Sequence, residues 1–502
     1  MTTDLGSTEL NIDPAVFRSA VADAAAAATP WRRTPAGDRA TVLRRVADRL
    51  DLAAPELIPL AMTESHLPLA RLTGELARTT FQLRLFAEVL DEGSFVDAII
   101  DTQDPNHPLG PRPDLRRIQR PVGPVAVYAA SNFPFAFSVA GGDTAAALAA
   151  GCPVVVKAHP GHPRLSARIG ELVAQALQQG GAPSGLLTVV YGVQAGIDLL
   201  RDDRVEAAAF TGSVHGGLAL AAIAAGRERP IPFYGELGSI NPTVVTTAAA
   251  AARGAEIVRG FVDSFTLGVG QFCTKPGLLF LPAGHGLTDA LITALQDVAA
   301  APMLNHRISE QHQQSVDTLR GVPGVVTLVA GHGDQLAWSP TLLTATGDVI
   351  RHDPDRTLAE CFGPTAVLIE YADLPELAAL LELVPGSLTA TVHAQPQEAW
   401  GLSELIDQLS AQAGRVLFNG WPTGVAVSWA QHHGGPYPAT TVPGHTSVGA
   451  SSIRRFQRPV CYQSMPQELL PVELHDRNEP KILRRINGSL TTRDVPTALP
   501  LS

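Results

Sequence analysis

Cysteine is scarce in this chain of 502 residues: four thiols, Cys152, Cys273, Cys361 and Cys461, stand far apart and form no CxxC pair. That scatter supplies no zinc-ligand spacing and suits a reducing compartment. Basic charge is short too, with 37 Lys and Arg against 48 Asp and Glu and a net charge of -11. Binding to a phosphate backbone needs a basic footprint, so no nucleic-acid partner is expected, although one pocket arginine could still receive a small anion. The opening MTTDLGSTELNIDPAV has no basic region followed by an apolar run, and VADAAAAATP is too short and too weakly apolar to span a bilayer. No short-period repeat and no low-complexity tail is present. The expectation is a cytoplasmic protein without membrane or nucleic-acid partners.

Hydrophobic residues make up 45% of the chain and charged ones 17%, which fits a large globular core. At roughly 150 residues per domain, the length suggests about three structural units. Helical spacing comes first: Val42, Leu43, Val46 and Leu50 share one face, as do Leu76, Leu83, Phe86 and Leu90. A connector dense in proline, DTQDPNHPLGPRPDLRRIQRPVGP, then reads as an extended arm. Beyond it, VAVYAA, PVVVKA, LLTVVYG and VEAAAFTG are short β-branched or Ala-rich runs, as buried parallel strands are, with helical segments between the last three. A second set follows in NPTVVTT, GLLFL, GVVTLVA, TAVLIEY, SLTATVHA and RVLFNG. Two tandem parallel-sheet α/β units account for most of the chain. The segment SSIRRFQRPVCYQSMPQELL reads as strand and then irregular, pairing with the arm or with another subunit.

Several residues could carry chemistry. GVGQFCTKPG sets Cys273 between glycines, as a nucleophile or as small apolar filler. FTGSVHGG places Gly212 and Ser213 where a strand gives way to a helix: a phosphate cradle or a plain turn, and not a GxGxxG fingerprint. Glu236, in GELGSINP at the junction of the two units, faces either a cleft or solvent. Asn132 ends a strand in ASNFPFAF, as an oxyanion donor or a turn former. Lys157 in VVVKAHPGHP and Glu360 in AECFGP carry the same ambiguity. His432 and His433 lack a third ligand at metal spacing, so no metal is expected.

Taken together, NFP at Asn132, Lys157, Gly212-Ser213, ELG at Glu236, GQFC ending at Cys273 and Glu360-Cys361-Phe362 resemble the aldehyde dehydrogenase superfamily across nearly the whole chain. The resemblance implies an aldehyde dehydrogenase-like α/β fold. Residues 1–100 and 122–237 would form a dinucleotide-binding domain and 238–435 a catalytic domain. The segments 101–121 and 450–463 would form a small β oligomerisation element, with 464–502 a C-terminal tail and a homodimer or homotetramer as the assembly. It also implies that Cys273 adds to the aldehyde, that Asn132 and the Cys273 N–H hold the oxyanion, and that Glu236 draws a proton from water. Glu360 would hold the nicotinamide ribose beside Phe362, and Cys152, Cys361 and Cys461 would be filler. A papain-like cysteine chemistry is rejected, since the flanks of Cys273 differ and Glu236 would go unused.

Where members that prefer NAD commonly carry a glutamate three residues after the lysine, this chain has Pro160. No carboxylate there repels a 2′-phosphate, so NADP is expected, with NAD possible, and Lys157, His159 and Arg164 are candidate phosphate partners. The segment NGWPTGVAVSWAQHHGGPYPATTVPGHTSVGASSIRRFQRPVCYQ departs from the general family pattern. It is similar to the branch that oxidises 2-oxoglutarate semialdehyde (2,5-dioxopentanoate) to 2-oxoglutarate. Arg78 would meet the substrate carboxylate, with Phe137 and Phe272 as apolar walls. The alternatives are a broader semialdehyde or aliphatic aldehyde dehydrogenase, a silent member of the family, and release of the thioester to coenzyme A instead of water.

Overall fold

Four helices open the described chain, which runs from residue 12 to residue 496 of a computed structural model. Part of the stretch read for a leader (1–11) and the end of the expected tail (497–502) lie outside it. The helices are α1 (Pro14–Arg33), α2 (Ala36–Leu52), α3 (Ala54–Ser65) and α4 (Leu69–Glu92). Asp13 starts α1 by accepting the N–H groups of Ala15 and Val16, and Gly93 stops α4 with a φ of 82°. The apolar spacings read from the sequence are the buried faces of α2 and α4.

After β1 (Ile99–Asp101) and β2 (Leu115–Pro121) comes the first α/β unit. It runs β3 (Val125–Tyr128), α5 (Gly142–Ala150), β4 (Val154–Lys157), α6 (Pro163–Gln179), β5 (Leu187–Val190), α7 (Val193–Arg201), β6 (Ala207–Thr211), α8 (Val214–Ala225) and β7 (Phe233–Glu236). Its strands lie parallel in the order β5-β4-β3-β6-β7. The chain builds outward from β3 on one side, then crosses back to add β6 on the other. A crevice therefore opens at the carboxyl ends of β3 and β6, where ligands gather in such sheets.

The second unit contains β8 (Pro242–Val245), α9 (Thr247–Thr266), β9 (Leu278–Pro282), β10 (Ala301–Pro302), β11 (Val326–Val329), β12 (Ala337–Trp338), β13 (Thr341–Ala345), β14 (Thr365–Tyr371), β15 (Ser387–His393) and β16 (Ala413–Phe418). Seven of these strands form a sheet ordered β11-β13-β14-β9-β8-β15-β16, parallel except at the edge strand β11. β10 and β12 form a separate antiparallel pair. The chain then returns to the first unit, where Ala450, Ile453 and Phe456 join its core, before β17 (Gln457–Gln463), β18 (Arg484–Ile486) and β19 (Ser489–Thr491).

These last strands and the arm make a third sheet, ordered β17-β2-β1-β18-β19. β17 pairs with the arm strand β2 from Gln457↔Pro121 to Gln463↔Leu115, within one chain. The small sheet also takes in residues 99–101 and two strands of the segment expected to be a tail. Arg484 is fully buried there and donates to the carbonyls of His475, Asp476 and Arg493. Cys461 is exposed on β17, whereas Cys152 and Cys361 are buried as expected. Helix α5 gave no amphipathic signal because all nine of its residues are buried.

Phe280, at the centre of the seven-stranded sheet, is fully buried. Phe280→Ala should cost about 3–5 kcal/mol through lost transfer energy and a residual cavity, read as a lower urea midpoint. A midpoint within error of wild type would show that the sheet does not depend on this packing.

Candidate active site

The turn before Cys273 is strained. Gly268, Val269 and Gly270 have φ of 56°, 57° and 65°, and a β-branched residue in that region costs on the order of 1–3 kcal/mol. Side chains from the turn itself and from two other segments hold it. Gln271 donates from Nε2 to the Gly268 carbonyl (3.1 Å) and accepts from the Leu304 N–H at Oε1 (3.0 Å). Asn132 donates from Nδ2 to the Gln271 carbonyl (3.1 Å), which leaves its second amide hydrogen uncommitted among the described residues. Asn241 is buried and left-handed at φ 52°, and donates to the carbonyls of Cys273 (2.8 Å) and Lys275 (2.9 Å). Its Oδ1 accepts from the Thr389 N–H and hydroxyl, so β15 braces the Cys273 turn. Sequence reasoning passed over Asn241, although it stands inside the GELGSINP motif.

Glu236, at the end of β7, is buried beside the partly buried Cys273. One carboxylate oxygen accepts from Nε2 of His433 (2.8 Å) and the other from the Ser447 hydroxyl (2.5 Å). The same His433 Nε2 lies 3.5 Å from Sγ of Cys273. His433 is therefore a site residue that the sequence reading weighed only as a metal ligand. Ligand atoms of Glu236, Cys273 and His433 lie within 4.8 Å of one another, the group with metal-ligand spacing among the described residues. Here that proximity is taken up by hydrogen bonds. Burial pushes the Glu236 carboxyl up, but the charge of His433 and hydrogen bonds from His433, Ser447 and Cys273 outweigh it, holding the group below its ordinary range. The Cys273 thiol is pushed well above its ordinary range by burial and then by the negative charges of Glu236 and Glu360, with Arg78 pulling the other way.

An aromatic wall stands over this group. Phe133 meets Phe137 and Phe272 edge-on at 5.3 and 5.5 Å, and Phe137 lies 6.4 Å from the His433 ring. Arg71 and Arg78 of α4 pack on the wall, Arg71 at 4.2 Å from Phe133 and Arg78 at 5.3 Å from Phe137. Arg71 pairs with the buried Glu75 (3.0 Å), which also accepts the N–H groups of Phe135 and Ala136 and so fixes the loop after Asn132. Nη1 of Arg78 is buried without a hydrogen-bond partner among the described residues. Phe133, Arg71 and Glu75 were not named as site residues in the sequence reading; the structure brings Arg78, Phe137 and Phe272 to the same wall.

The other expected residues line the first sheet's carboxyl edge and the segment facing it. Lys157 ends β4 half-buried, and Pro160 is exposed. His159 accepts the Gly161 N–H (3.0 Å), and burial holds its ring well below the ordinary histidine range. Ser213 caps α8 by accepting the Gly216 N–H, while the Gly212 N–H donates to the Glu236 carbonyl, tying this turn to the end of β7. Arg164 is exposed, and its backbone N–H is engaged by Glu64. The residues fit an elongated phosphate-bearing group. The strand order reverses beside the helix N-terminus, and the Thr211 hydroxyl is buried there without a partner among the described residues. Glu360 packs so closely on Gly238 that a Cβ at Gly238 would collide with its carboxylate. Burial pushes Glu360 up to about 7, opposed by Lys275 and the Ser239 N–H. Phe362 is partly buried against the first unit's core.

Two parallel-sheet units and a cleft organised around one thiol define an α/β enzyme of the cysteine-centred kind. The chain belongs to the aldehyde dehydrogenase family, whose model matches residues 7–437. Alpha-ketoglutaric semialdehyde dehydrogenase of Acinetobacter baylyi is 43% identical over 466 residues, covering 92% of this chain and 89% of the relative. Alpha-ketoglutaric semialdehyde dehydrogenase 2 of Azospirillum brasilense is 44% identical over 469 residues, covering 91% and 88%. Among solved structures, methylmalonate-semialdehyde dehydrogenase from Oceanimonas doudoroffii has a TM-score of 0.76 at 20% identity, covering 91% of this chain and 92% of that one, a likeness of fold. No helix among the described residues is long and apolar enough to cross a membrane.

Removing the Glu236 charge removes a contribution that raises the thiol, so Glu236→Gln should move the midpoint of Cys273 alkylation by iodoacetamide to lower pH. The measurement belongs in a Cys461→Ser background, because Cys461 is exposed. A midpoint that stays or rises would mean that Glu236 does not set the thiol's ionisation.

Proposed function

We propose that this aldehyde dehydrogenase oxidises 2-oxoglutarate semialdehyde (2,5-dioxopentanoate) to 2-oxoglutarate, with NADP preferred and NAD accepted. The observation that carries the substrate is the buried, unpartnered Nη1 of Arg78 on the aromatic wall beside Cys273. Arg78 feels the charges of Cys273 and Glu236, so a carboxylate at the far end of a short aldehyde would complete its hydrogen bonding while the carbonyl meets the thiol. Both quoted relatives carry the matching substrate in their names. A broader semialdehyde dehydrogenase is the second reading, since the aromatic wall would also receive an aliphatic chain.

In this mechanism Cys273 adds to the aldehyde carbon as a thiolate, and its proton passes to the His433–Glu236 pair. The raised thiol makes this proton acceptor necessary, and the low-lying Glu236 carboxyl is ionised and ready at neutral pH. The resulting oxyanion takes the free amide hydrogen of Asn132 and the Cys273 N–H, each such donor contributing roughly 3 kcal/mol in the transition state. A nicotinamide, when bound, would supply the acceptor for hydride; the oxyanion held on Cys273 collapses as the former aldehyde carbon loses its hydride, and the product on Cys273 is a thioester. Once the pair has given the thiol's proton to solvent, Glu236 draws a proton from water, which attacks the thioester carbonyl, frees the acid and expels the Cys273 thiolate. An intact Glu236 favours water over coenzyme A as the acceptor. Glu360 and Phe362 would receive the nicotinamide end, and Lys157, His159, Gly212 and Ser213 the phosphates and adenosine ribose. His159, held neutral, serves as a hydrogen-bonding group, while Lys157 brings the charge for a 2′-phosphate. Arg307, whose charge reaches His159, is a further candidate. The small sheet, whose edge strand β17 is paired on one side within this chain, supports assembly into a homodimer or homotetramer.

The test is nicotinamide reduction on 2,5-dioxopentanoate, succinate semialdehyde and a simple aliphatic aldehyde, each with NADP and NAD. A clear preference for the dioxo acid with NADP is expected, and equal rates on all three would leave only a general aldehyde dehydrogenase. Arg78→Leu should lower kcat/KM for the dioxo acid by at least about tenfold, as loss of a charged hydrogen bond implies, with much less effect on the aliphatic aldehyde. Equal losses on both would remove Arg78 from the substrate site. Cys273→Ala should bind the cofactor as wild type does and oxidise nothing; surviving oxidation would place the nucleophile elsewhere.

A further inference from the structure

Lysine occurs only three times in the chain, at Lys157, Lys275 and Lys481. Lys275, two residues after the nucleophile, is 3% exposed. Its ammonium donates to the carbonyls of Cys361 (2.6 Å), Gly363 (3.1 Å) and Thr365 (2.7 Å). Three N–H donors meet three acceptors, the full capacity of the group, and such completeness is what makes a buried ammonium tolerable. Its main chain meanwhile belongs to the nucleophile turn: its N–H donates to the Phe272 carbonyl (3.1 Å), and its carbonyl accepts from Asn241 (2.9 Å).

The two segments it joins also meet backbone to backbone. A Cβ on Gly270 would land on the Gly363 carbonyl. From the far side, His312 supports the same stretch through its Nε2 contact with the Thr365 hydroxyl (2.9 Å). Residues 360–364 have no strand or helix of their own, and β14 begins only at Thr365. The lysine head supplies the hydrogen bonds that a sheet ladder would give. This irregular stretch carries Glu360 and Phe362.

We infer that Lys275 is a positioning residue that sets the spacing between the Cys273 thiol and the Glu360–Phe362 segment, and so the alignment of the thiol-bound substrate with the nicotinamide. The inference rests on the reading, proposed above, that Glu360 and Phe362 receive the nicotinamide end. Lys275 touches neither substrate nor cofactor. Its effect falls on the step that needs both segments in register and spares a step that needs the thiol turn alone, since Asn241 and Gln271 still hold that turn.

The test compares two reactions of the same thiol in Lys275→Met. Oxidation of 2,5-dioxopentanoate with NADP needs both segments. Hydrolysis of 4-nitrophenyl acetate without cofactor needs only Cys273 to take the acetyl group, expel 4-nitrophenolate and return the acetyl to water. The expected result is a loss of about 10²-fold in the oxidation kcat, the scale of a misplacement near 1 Å. KM for NADP should rise, and ester hydrolysis should stay within a fewfold of wild type. Parallel losses in both reactions, or no loss in either, would overturn the inference and leave Lys275 a packing residue. Should Lys275→Met fail to fold, Lys275→Gln, which keeps two N–H donors, carries the same comparison. If the wild type oxidises no aldehyde while hydrolysing the ester, the functional reading fails by itself. NADP affinity, measured by titration of wild type and variant, then decides the clamp: weaker binding in the variant supports it, and unchanged binding overturns it.

Discussion

The Glu236 carboxylate is held charged out of water, and the arrangement of the site follows from satisfying it. A carboxylate in that position is unfavourable unless each oxygen is bonded. The two donors come from one return segment, His433 from its middle and Ser447 from nearer its close. The Ser447 N–H in turn donates to the His433 carbonyl. The segment between the second α/β unit and the small sheet is thereby drawn across the end of β7. His433 comes to lie against the thiol because Glu236 needs it, and Phe137 of the first α/β unit comes to lie against His433. One buried charge thus recruits side chains from otherwise separate parts of the chain into one site.

The same charge works against the nucleophile. Glu236 and Glu360 both disfavour the thiolate, and Arg78 favours it. The resting site therefore stores a protonated thiol beside an ionised carboxylate, with the imidazole within reach of both. A substrate whose own carboxylate engages Arg78 would weaken the influence that favours the thiolate, which makes direct proton transfer to the pair more important than a standing thiolate. The left-handed run at 268–270 presents the thiol to this pair, and its strain is borne by the bonds from Asn132, Gln271 and Asn241.

Most of the two parallel sheets was legible because buried strands such as Val125–Tyr128 and Val154–Lys157 are short apolar runs bounded by turn residues. Phe233–Glu236 and Thr341–Ala345 were not read as strands. The first ends in Gly-Glu, and the second, TLLTA, has only two large apolar residues, set between threonines. The thiol, carboxylate and amide could be named because each sits in a short motif: the carboxylate at the end of β7, the amide just past β3 and the thiol in the turn before β9. His433, Ser447 and Arg71 could not, since their roles depend on partners some 200 or 60 residues away (Glu236 and Asn132). The histidine pair invited a question about metal spacing, whereas its partners were a carboxylate and a thiol already identified. Asn241 and Lys275 were within quoted motifs, but nothing in a linear pattern shows that a side chain will be spent on backbone carbonyls.

The scarcity of lysine has a chemical side as well. Aldehydes condense with primary amines to give imines, and arginine and histidine lack that amine. Of the three lysines, Lys275 is buried with all its donors engaged and Lys157 is half-buried at a strand end, which leaves Lys481 as the exposed side-chain amine. A surface that meets its electrostatic needs with arginine offers few places for its own substrate to attach by accident. That is resistance to self-inflicted covalent damage, obtained from composition alone.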